Sequence, residues 1–434
     1  MVIHTVQPNE TINSIAEMYG VSADKLITDN SISNPSQLVV GQSLAILYPK
    51  ETYIVQEGDS LEGIAASHGV QAVQLLQNNP QLSNQAYIYP GEEIVISYTD
   101  EKRMALSTNG YAFPFIDINI LRETLPYLTY LTVFYYRITM NGDLVDIRDK
   151  LLIETARAYG VAPIMTISTI TEEGDINEQA THSIVTDKNK QENLINQVLD
   201  NMNRKNYYGL NIDMQNIYPE DRQLYVDFIS NISGRIIQAG YYVSSTLTPI
   251  TFPTDNNVIY QGPEYAILGQ LTDSTMLLSY AWGHAHSPQP ALPLSWVRTL
   301  LDYFATQIPP EKIFLGIPTI GYIWQLPFLL NYTIANSITH NAALTLANEV
   351  GATIERDESS QAPFFHYVTD SAYVVWFRDV RSTAALLDIV TEYGLEGIGT
   401  WNIMQFASGM WLLISTQYDI RKIEGLQNPP SESI

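Results

Sequence analysis

At 434 residues, with a net charge of −24 and a pI near 4.5, the chain is too long for one ordinary domain and too acidic to be drawn to nucleic acid or anionic lipid. Hydrophobic residues make up 45% of it and aromatics 11%, ample for a large core and unlike a disordered chain. Without cysteine there is no disulfide, thiolate nucleophile or cysteine-ligated metal. Of the seven histidines only His284 and His286 lie close together, with no third ligand at metal spacing, so neither metal nor cofactor is expected.

The opening Met-Val-Ile-His-Thr-Val lacks a basic stretch leading into an apolar core, so the expectation is no secretory signal and synthesis in the cytosol. No run approaches the roughly 20 apolar residues a membrane span needs. The first hundred residues repeat. Residues 4–21, HTVQPNETINSIAEMYGV, are echoed by residues 53–70, YIVQEGDSLEGIAASHGV. Val6, Ile15, Ala16, Gly20, Val21, Leu26 and Asn30 recur as Val55, Ile64, Ala65, Gly69, Val70, Leu75 and Asn79, and VVGQSLAI later matches YPGEEIVI. Each unit reads as strand, two short helices and strand, over 1–49 and 50–99, with Asp59 or Ser60 placed to cap a helix.

This repeat resembles the LysM module, which binds N-acetylglucosamine chains such as peptidoglycan and chitin. The resemblance implies a shallow groove lined by Gly58, Asp59, Ser60, Asn79 and Pro80 in the second copy, and by Asn9, Glu10, Thr11 and Asn30 in the first. The alternative for Asn30 and Asn79 is that each satisfies backbone groups at a helix end.

From about residue 104 strand-like runs alternate with helix-length amphipathic segments. The runs are ALSTNGYAF, YLTYLTVFYY, APIMTIST, YGLNIDMQNI, YYVSSTLTPI, STMLLSYAWG, KIFLGIPTIGY and EGIGTWNI. Eight such units over 104–425 predict an α/β fold, a closed (β/α)8 TIM barrel, with its site at the carboxyl ends of the strands. The segment APFFHYVTDSAYVVWFRD, between the seventh and eighth runs, reads as a small antiparallel insertion walling the barrel mouth. The short charged linker 98–103 is compatible with a rigid or a mobile LysM pair.

On the fourth strand Asn211, Asp213 and Gln215 share one face and alternate with Ile212 and Met214. Polar groups belong on that face where it opens into a site; a buried structural network is the alternative. Together with PEDRQLY, SYAWG, GYIWQLPF, VWFRDVRS and Trp401, this segment resembles glycoside hydrolase family 18, and more closely its LysM-bearing spore-wall members. In that family a glutamate protonates the glycosidic oxygen while an aspartate orients the substrate's acetamido group, which attacks the anomeric carbon. The resemblance puts Asp213, Gln215 and Tyr280 at catalytic positions. It puts Asn211, Tyr322, Trp324, Trp401 and Trp282 at substrate contacts. For Tyr322, Trp324, Trp282 and Trp376 ordinary core packing remains open.

Gln215 stands where the family has its acid, and an amide has no transferable acid proton. Asn211, Ala281, Ile323 and Thr400 also depart from the family pattern. Five departures favour native loss of activity over an engineered Glu→Gln change. The expectation is a binder of N-acetylglucosamine-containing glycan deposited on a spore or cell wall, with no nucleic acid or membrane partner. An N-acetylglucosaminidase seen in an inactivated form and a structural spore-coat protein are the alternatives.

Overall fold

The computed structural model describes residues 1–85, 87–215, 217–253, 258–261, 264–278, 288–329 and 332–426, with backbone alone at 250–253 and 258–261. No helix among the described residues is long and apolar enough to cross a membrane.

In module 1, Val2–Thr5 pairs antiparallel with Ser43–Ile46 around helices Ile12–Tyr19 and Ala23–Asp29. Module 2 repeats this with Pro49–Ile54, Leu61–Ser67, Ala72–Asn78 and Glu93–Tyr98. The recurring apolar residues form the cores: Val6, Ile15 and Leu26 in one, Val55, Ile64 and Leu75 in the other. The first helices start at equivalent caps, with Thr11 Oγ1 accepting from Ser14 N and Ser60 Oγ accepting from Gly63 N, each at 3.1 Å. Asp59 instead closes the preceding turn, accepting from Gln56 N at 2.7 Å.

The eight barrel strands are β1 (Met104–Ala112), β2 (Tyr130–Arg137), β3 (Ala162–Ser168), β4 (Gly209–Asp213), β5 (Tyr242–Leu247), β6 (Ser274–Leu277), β7 (Ile313–Pro318) and β8 (Gly397–Trp401). Each pairs in parallel with the next, and β8 closes on β1 from Gly397–Ser107 to Trp401–Tyr111. The strands are buried on both faces because one fills the barrel and the other meets the surrounding helices, which is why they read as nearly continuous apolar runs.

Two runs are longer in sequence than the strands they form. The fifth stops at Leu247, and Ile250–Pro253 pairs with Val258–Gln261 as a separate ribbon. The seventh stops at Pro318. Ile320–Leu326 leaves the barrel and joins a five-stranded sheet with Asn336–Thr339, Glu355–Asp357, Ala362–Val368 and Ala372–Trp376, accompanied by helix His340–Glu349. The insertion is therefore larger than its predicted hairpin, and GYIW belongs to it rather than to β7. Hydrophobic patterning continues across Thr319, and periodicity does not report which sheet a strand joins.

Both modules are docked rather than tethered. Ser408 Oγ donates to Asp29 O at 2.9 Å, and Lys25 Nζ reaches Tyr98 OH at 3.0 Å across the modules. Gln77 Nε2 donates to Pro126 O, and Tyr127 OH to Gln77 O, both at 2.8 Å. Module 1 also joins the insertion: Ile354 N donates to Val40 O at 2.9 Å, and Val39 is buried in the insertion's apolar cluster.

Gly41 and Gly91 are equivalent repeat positions with φ of +87° and +94°. A Cβ at Gly91 meets nothing within 4 Å, whereas at Gly41 it would lie 1.9 Å from Ile354 O. Gly91→Ala is expected to cost about 1–2 kcal/mol for its left-handed backbone. Gly41→Ala adds overpacking, about 3–5 kcal/mol in all, and opens the module 1 contact. Thermal melts with limited proteolysis near Leu38–Gln42 check the difference; equal destabilisation would contradict this docking.

Candidate functional site

β4 delivers Asp213 to the carboxyl end of the barrel, 2% exposed. Two residues on, half-buried Gln215 donates its Nε2–H to Asp213 Oδ1 at 2.9 Å. Burial pushes the Asp213 carboxyl up to about 6, against the Gln215 amide, which lowers it. Burial, with the Asp213 charge added, also raises the hydroxyls of Tyr111 and Tyr225. The site thus holds a poorly solvated carboxyl beside an amide donor.

One step deeper on the same face, Asn211 is 1% exposed. Its Nδ2 donates to Thr246 Oγ1 and its Oδ1 accepts from Ser244 Oγ, both at 3.0 Å. Asn211 ties β4 to β5 through these bonds, which favours the structural network over its reading as a substrate contact. The two readings of the polar face divide: a structural network at Asn211, and at the strand end a buried carboxyl on Asp213 bonded to the half-buried Gln215.

Trp401, at the end of β8, is half-buried at the same carboxyl end of the barrel. The Phe134 ring meets it edge-on with centroids 4.6 Å apart and planes at 85°, while Tyr111 and Phe113 lie at 5.5 and 5.9 Å. That packing holds the indole as a floor. Tyr111, Phe113 and Phe134 were not singled out from sequence, although Asn109, Tyr111 and Phe113 alternate along the first run as Asn211 and Asp213 do along the fourth.

The other aromatic assignments fare differently. Trp324 is 0% exposed within the inserted sheet's apolar cluster, so it is a core residue and not a rim contact. Tyr322, 7% exposed, belongs to the same cluster. Trp376 stacks on Phe364 with centroids 4.5 Å apart. Tyr280, Ala281, Trp282, His284 and His286 lie outside the described residues.

In the modules, the two asparagines make identical staples. Asn79 Nδ2 donates to Leu75 O and Val95 O at 2.9 and 2.8 Å while Val95 N donates back at 2.8 Å. Asn30 does the same with Leu26 O, Ala45 O and Ala45 N. Their amides join the second helix to the last strand, and Pro80 is buried beside Asn79, which favours the structural reading of these three. Glu10 accepts from Gln7 N at 2.7 Å and lies 2.8 Å from His4 Nε2, matching Asp59. Asn9, Thr11, Gly58 and Ser60 remain exposed on the turns.

The segment just before the last strand adds two residues that the sequence did not single out. In module 2 it exposes Tyr87 and Tyr89, 73% and 56% accessible. The equivalent of Tyr89 in module 1 is Val39, 6% exposed against the insertion. One copy has turned this loop toward the protein; the other presents it to solvent.

Comparison with known proteins agrees with this architecture. The family Glycosyl hydrolases family 18 matches residues 166–405, and the LysM domain matches residues 4–46 and 53–97. A Bacillus subtilis (strain 168) protein named as a sporulation-specific glycosylase, YdhD, is 32% identical over 98% of this chain and 100% of its own. The cortical fragment-lytic enzyme of the same organism is 29% identical over 97% of this chain and 99% of its own. The crystal structure of the Bacillus cereus spore cortex-lytic enzyme SleL superposes with a TM-score of 0.78 at 29% identity, covering 97% of this chain and 99% of that one. The chain belongs to glycosyl hydrolase family 18 and carries two LysM domains ahead of its barrel.

Proposed function

We propose that the protein holds N-acetylglucosamine-containing glycan of a spore or cell wall, in module 2 and at the strand ends of the barrel, without cleaving it. One observation carries this reading: the amide of Gln215 donates to Asp213 where the family has its general acid. Substrate-assisted hydrolysis requires a proton for the leaving oxygen. An amide can hydrogen-bond that oxygen but cannot protonate it. Asp213 Oδ2, which has no hydrogen bond among the described residues, can accept from a sugar acetamide N–H, and the Trp401 face suits the C–H face of a pyranose ring. The names of similar proteins, a cortical fragment-lytic enzyme and a spore cortex-lytic enzyme, support spore cortex as the wall material.

The test is calorimetric binding of N-acetylglucosamine oligomers alongside a hydrolysis assay of the same sample. Binding without turnover is expected; turnover by the unmodified chain would overturn the reading. Within module 2, the exposed Tyr89 ring is the stacking surface, on the loop that Gly91 N ties to the end of the first strand through its 2.8 Å bond to Val55 O. Tyr89→Ala is expected to weaken oligomer binding about tenfold, the loss of ~1–1.5 kcal/mol of ring contact. Val39→Ala in module 1 should instead lower stability and leave affinity unchanged.

A further inference from the structure

β1 ends at Ala112, and the chain then turns through Phe113, Pro114, Phe115 and Ile116. Ile116 N donates to Phe113 O at 3.1 Å, closing a four-residue turn with proline at its second position, where the fixed φ of the ring suits the bend. Ile116 is buried in the main apolar cluster and anchors the far end of the turn. Phe115, third in the turn, is left 77% exposed. Its ring still has a set position, stacked on Phe113 with centroids 5.3 Å apart and planes at 19°.

Phe113 in turn meets Trp401 at 5.9 Å and Phe134 at 5.5 Å, both edge-on. Aromatic rings therefore run in contact from the indole at the end of β8 to the outer rim at Phe115. A single exposed phenylalanine is ordinary on a protein surface. Two independent features set this one apart. The turn and the stack fix its ring before any ligand arrives, so little side-chain freedom is left to lose on binding. The row of rings that it ends also begins at Trp401, the floor of the sugar site. Folding gains little from a side chain so exposed, and Phe113 covers only one of its faces.

We infer that Phe115 is a second stacking platform for the glycan strand, taking a sugar farther along the chain than the one over Trp401. The inference rests on the reading of Trp401 as a sugar floor and adds a length requirement to it. The barrel then holds a run of N-acetylhexosamine units rather than one terminal sugar. A pyranose carries C–H groups on its face and hydroxyls round its edge, so it can lie on the open phenyl face while the hydroxyls stay in water. One such aromatic contact corresponds to about tenfold in affinity.

The turn leads into helix Ile118–Thr124, which packs on Pro80–Asn84 of module 2, with Asn84 bonded to Glu123. Module 2 is thus docked on the same side of the barrel as Phe115, and its own sugar binding has to be separated in the test. Calorimetry on the full chain carrying Tyr89→Ala compares N-acetylglucosamine with its hexamer, with and without Phe115→Leu. Leucine keeps the position apolar and removes the flat ring. In Phe115→Leu the hexamer is expected to bind about tenfold more weakly and the single sugar as before. Phe115→Trp in the same background should keep the hexamer affinity, and the emission of the added indole should shift with the hexamer but not with the single sugar. Hexamer affinity unmoved by Phe115→Leu, an equal loss for both ligands, or an emission that does not shift would overturn the inference and leave the glycan reading standing. Absence of hexamer binding by the unmodified chain would overturn both.

Discussion

The Gln215→Glu variant is expected to hydrolyse N-acetylglucosamine oligomers or cortex muropeptides at least about 100-fold faster than the unmodified chain, the lower end of what general-acid catalysis contributes. The surroundings already suit an acid. Asp213 sits within hydrogen-bond reach of position 215 and is poorly solvated, so two carboxyls there would share a proton and titrate as a coupled pair. Such a pair keeps one carboxyl protonated near neutral pH, as proton donation requires. Trp401 is held in place by Phe134 and Tyr111 whatever occupies position 215. Measured turnover of both forms on one substrate decides. No gain, with binding retained, would mean that position 215 is not the only departure from the family pattern that matters. Thr400 is one, fully buried in β8 with its hydroxyl unpartnered among the described residues. Ile323 is another, packed against the insertion's apolar cluster.

Asp213→Asn is expected to stabilise the barrel at pH 8 and to leave it unchanged near pH 3.5. The unfolded carboxyl titrates near 3.8 and the native one near 6. Between those values the native state holds a proton the unfolded state has released, so stability falls as pH rises through the window. Above about pH 6 the penalty is complete, and a shift of about two pH units corresponds to roughly 3 kcal/mol. Asparagine keeps an oxygen for the Gln215 amide and removes the buried charge. Paired melting curves at the two pH values are the measurement, with several degrees of gain expected only at the higher one. A gain that does not depend on pH would mean that packing, not charge, is responsible. The instability is the cost of desolvating a buried carboxylate.

Much of the fold was legible because it is written in local, repeated patterns. The module repeat could be read residue against residue, and its core positions are buried in both copies. Eight strand runs separated by helical segments admit few arrangements, since parallel neighbours require crossovers and a closed barrel leaves no edge. Asp213 and Gln215 were legible for a related reason: two polar residues on the inward face of a strand conflict with packing unless the strand is ending at a site. Asn211 obeyed the same pattern although its bonds favour a structural role, because alternation reports the face a residue lies on and not its depth in the barrel.

The aromatic assignments show where sequence ran out. Trp324 and Trp401 are the same residue type near predicted strand ends, yet one is sealed inside the inserted sheet and the other floors the barrel mouth. The difference arises at Pro318, where the chain leaves the barrel, and nothing in the apolar run through that point announces it. Asn30 and Asn79 were read evenly as ligand or staple, and only their three backbone bonds apiece favour the staple.

The sequence by itself determined the module repeat, the eight-stranded barrel, the family and the amide at position 215, all of which rest on residue identity and spacing along one segment. Tertiary structure alone decided that Val39 is buried where Tyr89 is exposed, that both modules are docked, and that Phe115 is joined to Trp401 through Phe113. Those features join residues hundreds of positions apart, and their energy comes from desolvation and contact between surfaces that no local pattern encodes.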